Sequence, residues 1–222
     1  MAHSNNFIPY TAQRLTAEES TKRSADYRAY MDMRRSIRFF SDKPVSEEII
    51  ENLIMTASTA PSGAHKQPWT FCAVSSNVIK SAIRVAAEEE EYKSYNGRMS
   101  EEWLNDLKPF ATDWHKDFLT IAPWLIIIFK KAFDYDGEAK KKNYYVNESV
   151  GIAAGILISA IHNAGLVTLT HTPSPMNFLQ KILDRPDNER PFLLLPVGYP
   201  TDDAVVPKLE RKNEKEVIKY YK

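Results

Sequence analysis

Val146-Asn-Glu-Ser-Val-Gly-Ile-Ala-Ala-Gly-Ile-Leu-Ile-Ser-Ala-Ile-His-Asn-Ala164 carries apolar or small side chains almost all the way round a helical wheel, and Gly165 follows as a helix stop. A helix of this kind needs cover on every side. Its apolar stretch, Val150 to Ile161, is shorter than the roughly 20 residues a membrane span requires, so it reads as a buried helix of a globular fold. Gly151 and Gly155, four apart, would let a second helix approach closely. The chain has only 222 residues, with little spare material for covering this helix, so a homodimer is expected. The segment after Pro200, about 200–222, has few core residues of its own and is expected to embrace the other protomer.

Working outward, Trp124-Leu-Ile-Ile-Ile-Phe129 is a continuous apolar run suited to a strand buried on both faces. Further strands are predicted at Thr70–Ser75, Leu166–Thr170 and Phe192–Val197. Helices are predicted at 16–35, with Thr16 as N-cap and Glu19 as its capping-box partner, at 46–60, and from a cap at Asn77. From 88 to 117 the character changes: Glu88 to Glu91 are a block of acid, and the rest mixes Tyr, Trp, Lys and Asp with little apolar periodicity. That stretch reads as an exposed excursion. Nothing repeats and nothing is of low complexity, so the whole reads as one α+β domain over 1–222.

Lys and Arg number 29 and Asp and Glu 29, so no overall field draws the chain toward nucleic acid or an anionic membrane. The single Cys72 cannot form an internal disulfide and reads as a small buried hydrophobe. Met1 is followed by no basic and apolar signal sequence. The five histidines show no ligand spacing, and no metal is expected.

Three separated segments could carry chemistry. Arg34-Arg35-Ser36-Ile37-Arg38 sets guanidinium groups and a hydroxyl as donors matched to phosphate oxygens, although taken alone it reads rather as a solvated basic face at a helix end. Ala60-Pro-Ser-Gly-Ala-His-Lys-Gln-Pro-Trp69 is a Pro- and Gly-punctuated loop that could bring backbone N–H groups to a flat ligand, or simply connect a helix to a strand. Thr168-Leu-Thr-His-Thr172 places hydroxyls at a strand end, where α/β proteins collect ligands.

Taken jointly, RRSIRFF at 34–40, APSGAHKQPWTF at 60–71 and GLVTLTHTP at 165–173 resemble the nitroreductase superfamily of FMN proteins and, within it, the iodotyrosine deiodinases. The resemblance runs from about Met33 to Lys212. It implies a nitroreductase-like fold, with a central mixed sheet wrapped by helices in an intertwined homodimer whose FMN sites lie at the subunit interface. It further implies that Arg34, Arg35, Ser36, Ile37, Arg38 and Arg211 hold the FMN phosphate and ribityl chain, and that Ser62 touches FMN across the interface. The Ala64 N–H would meet a substrate phenolate. Thr170, His171 and Thr172 would line the isoalloxazine, with the Thr172 hydroxyl bonded to flavin N5. The family's lid carries Glu, then Tyr four residues on, then Lys 21 further, and Glu91, Tyr95 and Lys116 stand at those spacings. A carboxylate suits the ammonium of an amino acid, and a Lys and a phenol suit its carboxylate.

The implied activity is reductive dehalogenation of halogenated tyrosine by FMN, with 3-iodotyrosine giving tyrosine and iodide. Mammalian relatives carry a membrane anchor before the catalytic domain, whereas this chain begins only a few turns before it and is expected to be soluble and cytoplasmic. A broad NAD(P)H-dependent nitroreductase or quinone reductase would share the FMN residues, but the lid trio separates the two. A flavin-storage module would bind FMN without turnover. The electron donor is left open, NAD(P)H acting through a reductase being one route, because no G-x-G-x-x-G dinucleotide site is present.

Overall fold

A computed structural model of the protein describes residues 7–222 and divides them into two units, through Arg34 and from Arg35 to Lys222. The first is built around helix α1 (Ala17–Asp32), which opens with the expected capping box: the Thr16 hydroxyl accepts the Glu19 N–H and the Glu19 carboxylate accepts the Thr16 N–H.

The second unit is organised on a four-stranded sheet in the order β1 (Trp69–Val74), β2 (Trp124–Lys131), β6 (Glu189–Gly198) and β5 (Val167–Thr168), every neighbouring pair antiparallel. A parallel bridge from Ser36 to Thr168 makes the sheet mixed. In register, Ile127 faces Cys72 on one side and Leu194 on the other. Leu125 to Phe129 are completely buried, as their unbroken apolar run predicts.

Alternation along β2 sorts the core into two layers. Ile126 and Ile128, with Leu195 and Val197, pack under α2 (Glu47–Ala57) and α6 (Val146–Asn163) through Ile50, Leu53, Val150 and Leu157. Leu125, Ile127 and Phe129 face the opposite layer. There α3 (Asn77–Lys93), α5 (Phe118–Ile121) and α7 (Asn177–Ile182) contribute Ile83, Leu119 and Leu179. Leu157 is fully buried, and its replacement by Ala would cost about 2–5 kcal/mol.

The apolar helix α6 ends at Ala164, and Gly165 turns with φ +71° as a helix stop requires. Its buried face is Val150, Ala153, Ala154, Leu157 and Ile161. Its other face stays uncovered among the described residues: Ile152 is 46% exposed, and a Cβ added at Gly151 or Gly155 would meet nothing within 4 Å.

Several details differ from the sequence reading. The cap of α3 is Ser76, one residue before the expected Asn77, because Ser76 has extended backbone and its hydroxyl accepts the Ile79 N–H. The strand expected at Leu166–Thr170 shrinks to β5, and α1 stops at Asp32. The 88–117 excursion is largely helical: α3 runs to Lys93, a π turn spans Ser94–Arg98, and α4 follows at Glu101–Leu107. A hairpin, β3 (Phe133–Asp136) with β4 (Ala139–Lys142), lies outside the predicted strands although the Asp136-Gly137 pair is a turn signal, with Gly137 at φ +60° in the two-residue loop. The chain closes with a short helix, α8 (Glu214–Val217). Among the described residues no helix is long and apolar enough to cross a membrane.

Candidate active site

The sheet sends the segment after β5 outward beside β6. There the His171 N–H donates to the Leu194 carbonyl and the Leu194 N–H to the His171 carbonyl, at 2.9 and 3.1 Å. This reciprocal pair of hydrogen bonds fixes Thr170 and Thr172, both exposed, on either side of a buried His171. Arg35 to Arg38 run alongside, with the Ile37 N–H donating to the Thr168 carbonyl at 3.2 Å. Two of the segments singled out in the sequence are thus neighbours.

The lid joins them. A cavity of about 260 Å³ is lined on its floor by Arg38, Thr170, His171 and Thr172, and on its roof by Glu91, Tyr95 and Lys116, with Trp103 and Leu107 of α4 as an apolar wall. Glu91 and Tyr95 come from the end of α3 and the π turn, and Lys116 from the segment entering α5. Glu91 Oε2 lies 3.2 Å from Lys116 Nζ with both side chains nearly buried, and Lys116 Nζ also donates to the Asp113 carbonyl. The ammonium sits 5.4 Å from the Tyr95 ring centroid. The Tyr95 hydroxyl donates to the Thr112 carbonyl at 3.3 Å. Burial raises its pKa, and nearby Glu91 and Asp113 add to this, so it stays a neutral donor.

Arg38 is half-buried, 5.7 Å from the Phe110 ring centroid, and no carboxylate partners it among the described residues. Burial lowers its pKa somewhat, the mark of a cation short of counter-charge. His171 is more extreme. Its ring meets Phe118 edge to face at 5.5 Å, its Nε2 is buried with no partner, and its pKa falls to about 3, first through burial and then through the charges of Lys116 and Arg38. It is therefore neutral at any ordinary pH. A half-buried unpaired guanidinium, exposed threonine hydroxyls and an orphaned imidazole nitrogen form a donor-rich floor that fits an anionic, polar-edged flat cofactor such as FMN.

The remaining expected residues lie elsewhere in the chain. Arg34 ends the first unit, where its N–H donates to the Met31 carbonyl. The Arg35 guanidinium donates to the Pro207 carbonyl, pinning the C-terminal segment, and Arg211 is exposed further along that segment. Ser62 accepts the Gln67 N–H at 2.8 Å. Ala64 stands in the left-handed region (φ 50°, ψ 30°), as do His65 and Gln67. Three such non-glycine residues in four positions are costly, at about 1–2 kcal/mol each, and that kind of backbone collects at functional sites. Gly63 leaves no room for a side chain, since an added Cβ would fall 2.9 Å from the Tyr144 carbonyl oxygen. The Gly63 N–H donates to the Ser149 hydroxyl at the start of α6 at 3.4 Å, whereas Ala64 is exposed and its N–H has no acceptor among the described residues. Neither Ser62 nor Ala64 lines the lid cavity. The loop lies instead at the N-terminal end of α6, where Gly63 meets Ser149 and Tyr144.

Sequence reasoning missed the apolar wall. Trp103 and Leu107 stand four apart, the spacing of one helix face, but their surroundings are so charged that no amphipathic pattern emerges.

The family model described as the nitroreductase family matches residues 31–199, and the chain belongs to that family. Within it the chain sits among the iodotyrosine deiodinases. It is 63% identical to the iodotyrosine deiodinase of Haliscomenobacter hydrossis over 97% of each chain, and 47% identical to iodotyrosine deiodinase 1 of Homo sapiens over 92% of this chain and 72% of that one. A solved structure of oxidized iodotyrosine deiodinase bound to FMN and 3-iodo-L-tyrosine superposes with a TM-score of 0.73 at 28% identity, covering 88% of this chain and 98% of that one. A nitroreductase-like protein from Streptococcus mutans, at 19% identity and a TM-score of 0.68, shares the fold.

Proposed function

We propose that this protein is an FMN-dependent reductase that removes halogen from halogenated tyrosine, 3-iodotyrosine giving tyrosine and iodide. The observation that carries the reading is the convergence of Glu91, Tyr95 and Lys116 on one cavity with Thr170, His171 and Thr172. A general nitroreductase has no use for a charged trio matched to an amino acid head, and the relatives named above share the reading.

When bound, reduced FMN supplies two electrons, which with one proton convert an aryl carbon–halogen bond to carbon–hydrogen and free halide. The protein's part is to hold and orient. Arg34, Arg35, Arg38 and Arg211, with Ser36 and the backbone of Ile37, would hold the phosphate and ribityl chain. Ser62 would touch the cofactor. Thr170 and His171 would line its ring and the Thr172 hydroxyl would donate at N5. The Ala64 N–H would hold the substrate's phenolate oxygen. Above, Glu91 would accept from the substrate ammonium, while Lys116 and the neutral Tyr95 phenol would donate to its carboxylate. Their own ion pair sets a condition: a ligand with only one of the two charges leaves the other lid residue buried and unmatched. Trp103 and Leu107 would exclude water from the closed cavity.

The proposal includes a homodimer in which the exposed face of α6 meets its copy and the loop carrying Ser62 and Ala64, which meets the start of α6 through Gly63 and Ser149, reaches the partner's floor. The segment from about 200 to 222 would embrace the partner, and 88–117 is the lid. A cytoplasmic location and an NAD(P)H-linked reductase as electron donor complete the reading.

The test is anaerobic. The flavoprotein is reduced with dithionite and mixed with 3-iodotyrosine; stoichiometric iodide together with return of the oxidised flavin spectrum is expected. Reduced flavin that persists with no iodide released would overturn the reading.

A further inference from the structure

One face of α3 reads Lys80, Arg84, Glu88 and Glu91, at spacings of four, four and three, and Tyr95 follows four later. The last two belong to the substrate end. The first three all grip one piece of chain, residues 116–122, and nothing in the proposed chemistry uses them.

The grip is specific. Buried Lys80 donates to the Thr120 and Ala122 carbonyls at 3.1 and 2.9 Å. The Arg84 guanidinium reaches three acceptors: Glu88 Oε1 at 2.8 Å, the Thr120 hydroxyl at 3.0 Å and the Asp117 carboxylate. That same Glu88 oxygen accepts the backbone N–H of Lys116 at 2.7 Å. Arg84 thus aims the carboxylate that fixes the main chain of the lid lysine. Both side chains are mostly shielded, Arg84 at 27% and Glu88 at 17% exposed, so this is not the screened surface pair that contributes almost nothing. The planar fork presents Nε, Nη1 and Nη2 to three separate acceptors in a fixed geometry, which the single nitrogen of an ammonium does not reproduce.

We propose that Arg84, acting through Glu88, is a positioning residue that holds the backbone of Lys116 so that its ammonium meets the carboxylate of the amino acid substrate, and so sets the preference for substrates with a zwitterionic head. The inference rests on the functional reading above. Arg84 and Glu88 touch neither substrate nor cofactor; they fix where the closing end of the lid begins.

The test uses the flavin-loaded protein and an Arg84→Met variant. KM for 3-iodotyrosine should rise about tenfold, as expected for one lost charge-assisted contact, with kcat within about twofold, flavin content unchanged, and the preference for 3-iodotyrosine over 2-iodophenol reduced by a similar factor. Arg84→Lys should recover only part of the loss. In a Lys116→Met background the same change should add less than about twofold, because interacting sites are non-additive. Without substrate, backbone amide exchange across 116–121 should quicken in Arg84→Met. Unchanged exchange, or a full tenfold effect persisting without Lys116, overturns the proposal. Glu88→Gln supplies the same readings if Arg84→Met does not fold, with a smaller rise in KM. A wild-type protein that ignores 3-iodotyrosine while Arg84→Met still exchanges faster overturns the functional reading and leaves the clamp standing.

Discussion

The lid and the loop at 60–68 are both short, polar and placed around the same proposed ligand, yet they reach their geometry by opposite routes. Glu91, Tyr95 and Lys116 are gathered inside one chain, by a helix face and a clamp, into a cavity that is complete as it stands. Ala64 is held in a costly left-handed conformation and lies outside that cavity, in a loop seated at the start of α6. On the proposed reading, recognition of the charged head would therefore be a property of the monomer. Contact with the ring and its phenolate is a property that a second copy would complete.

That contrast breaks most easily at α6. A Cβ at Gly155 has open space among the described residues, so Gly155→Leu should fold, but it would stand where the proposed second helix approaches. Light scattering should report a monomer, and flavin retention should fall by more than about a hundredfold, taking turnover with it. A dimer of full flavin content would sink the division between the two regions. Glu91→Gln comes next. It leaves the Lys116 ammonium buried without its partner, a change worth about 3–5 kcal/mol where a buried pair is broken, and part of that should appear as about a hundredfold drop in kcat/KM for 3-iodotyrosine. For 2-iodophenol, which lacks the head group, the drop should be only a few-fold. Equal losses would mean that the lid does not read the head. Thr172→Ala, on the floor of the lid cavity, should slow dehalogenation by about tenfold and leave KM nearly unchanged, as for an interaction made mainly in the transition state; a shift confined to KM would move Thr172 to the substrate side.

How much of this could be read from the residues depends on how local the cause is. The six-residue run 124–129 dictates a doubly buried strand by itself, and Thr16, Ser46 and Glu19 cap helices through contacts within four residues. The lid trio was legible through spacing and resemblance. Its gathering over Thr172 was not, because that needs the register of β5 against β6 and of Lys116 against Glu88, both long-range. Trp103 and Leu107 hid in a charged neighbourhood. His171 was expected to line the flavin like its two threonine neighbours, but its position on a bridge to Leu194 alternates it inward, so that it borders the cavity from a buried site packed on Phe118.

That inward turn gives the smallest and most specific prediction. With a folded pKa of about 3 against 6.5 for an ordinary imidazole, His171 takes up its proton more readily in the unfolded chain than in the native one. Its neutral burial therefore contributes full stability above pH 6.5, and that contribution is lost progressively as the pH falls from 6.5 toward 3. The slope for one proton is about 1.4 kcal/mol per pH unit. Urea midpoints measured at pH 7, 6 and 5 should fall in step, with the slope reduced in His171→Asn, which cannot titrate. If the slope is the same in both, protonation elsewhere controls acid unfolding. The floor of the lid cavity would then be wetter than an orphaned, buried Nε2 implies.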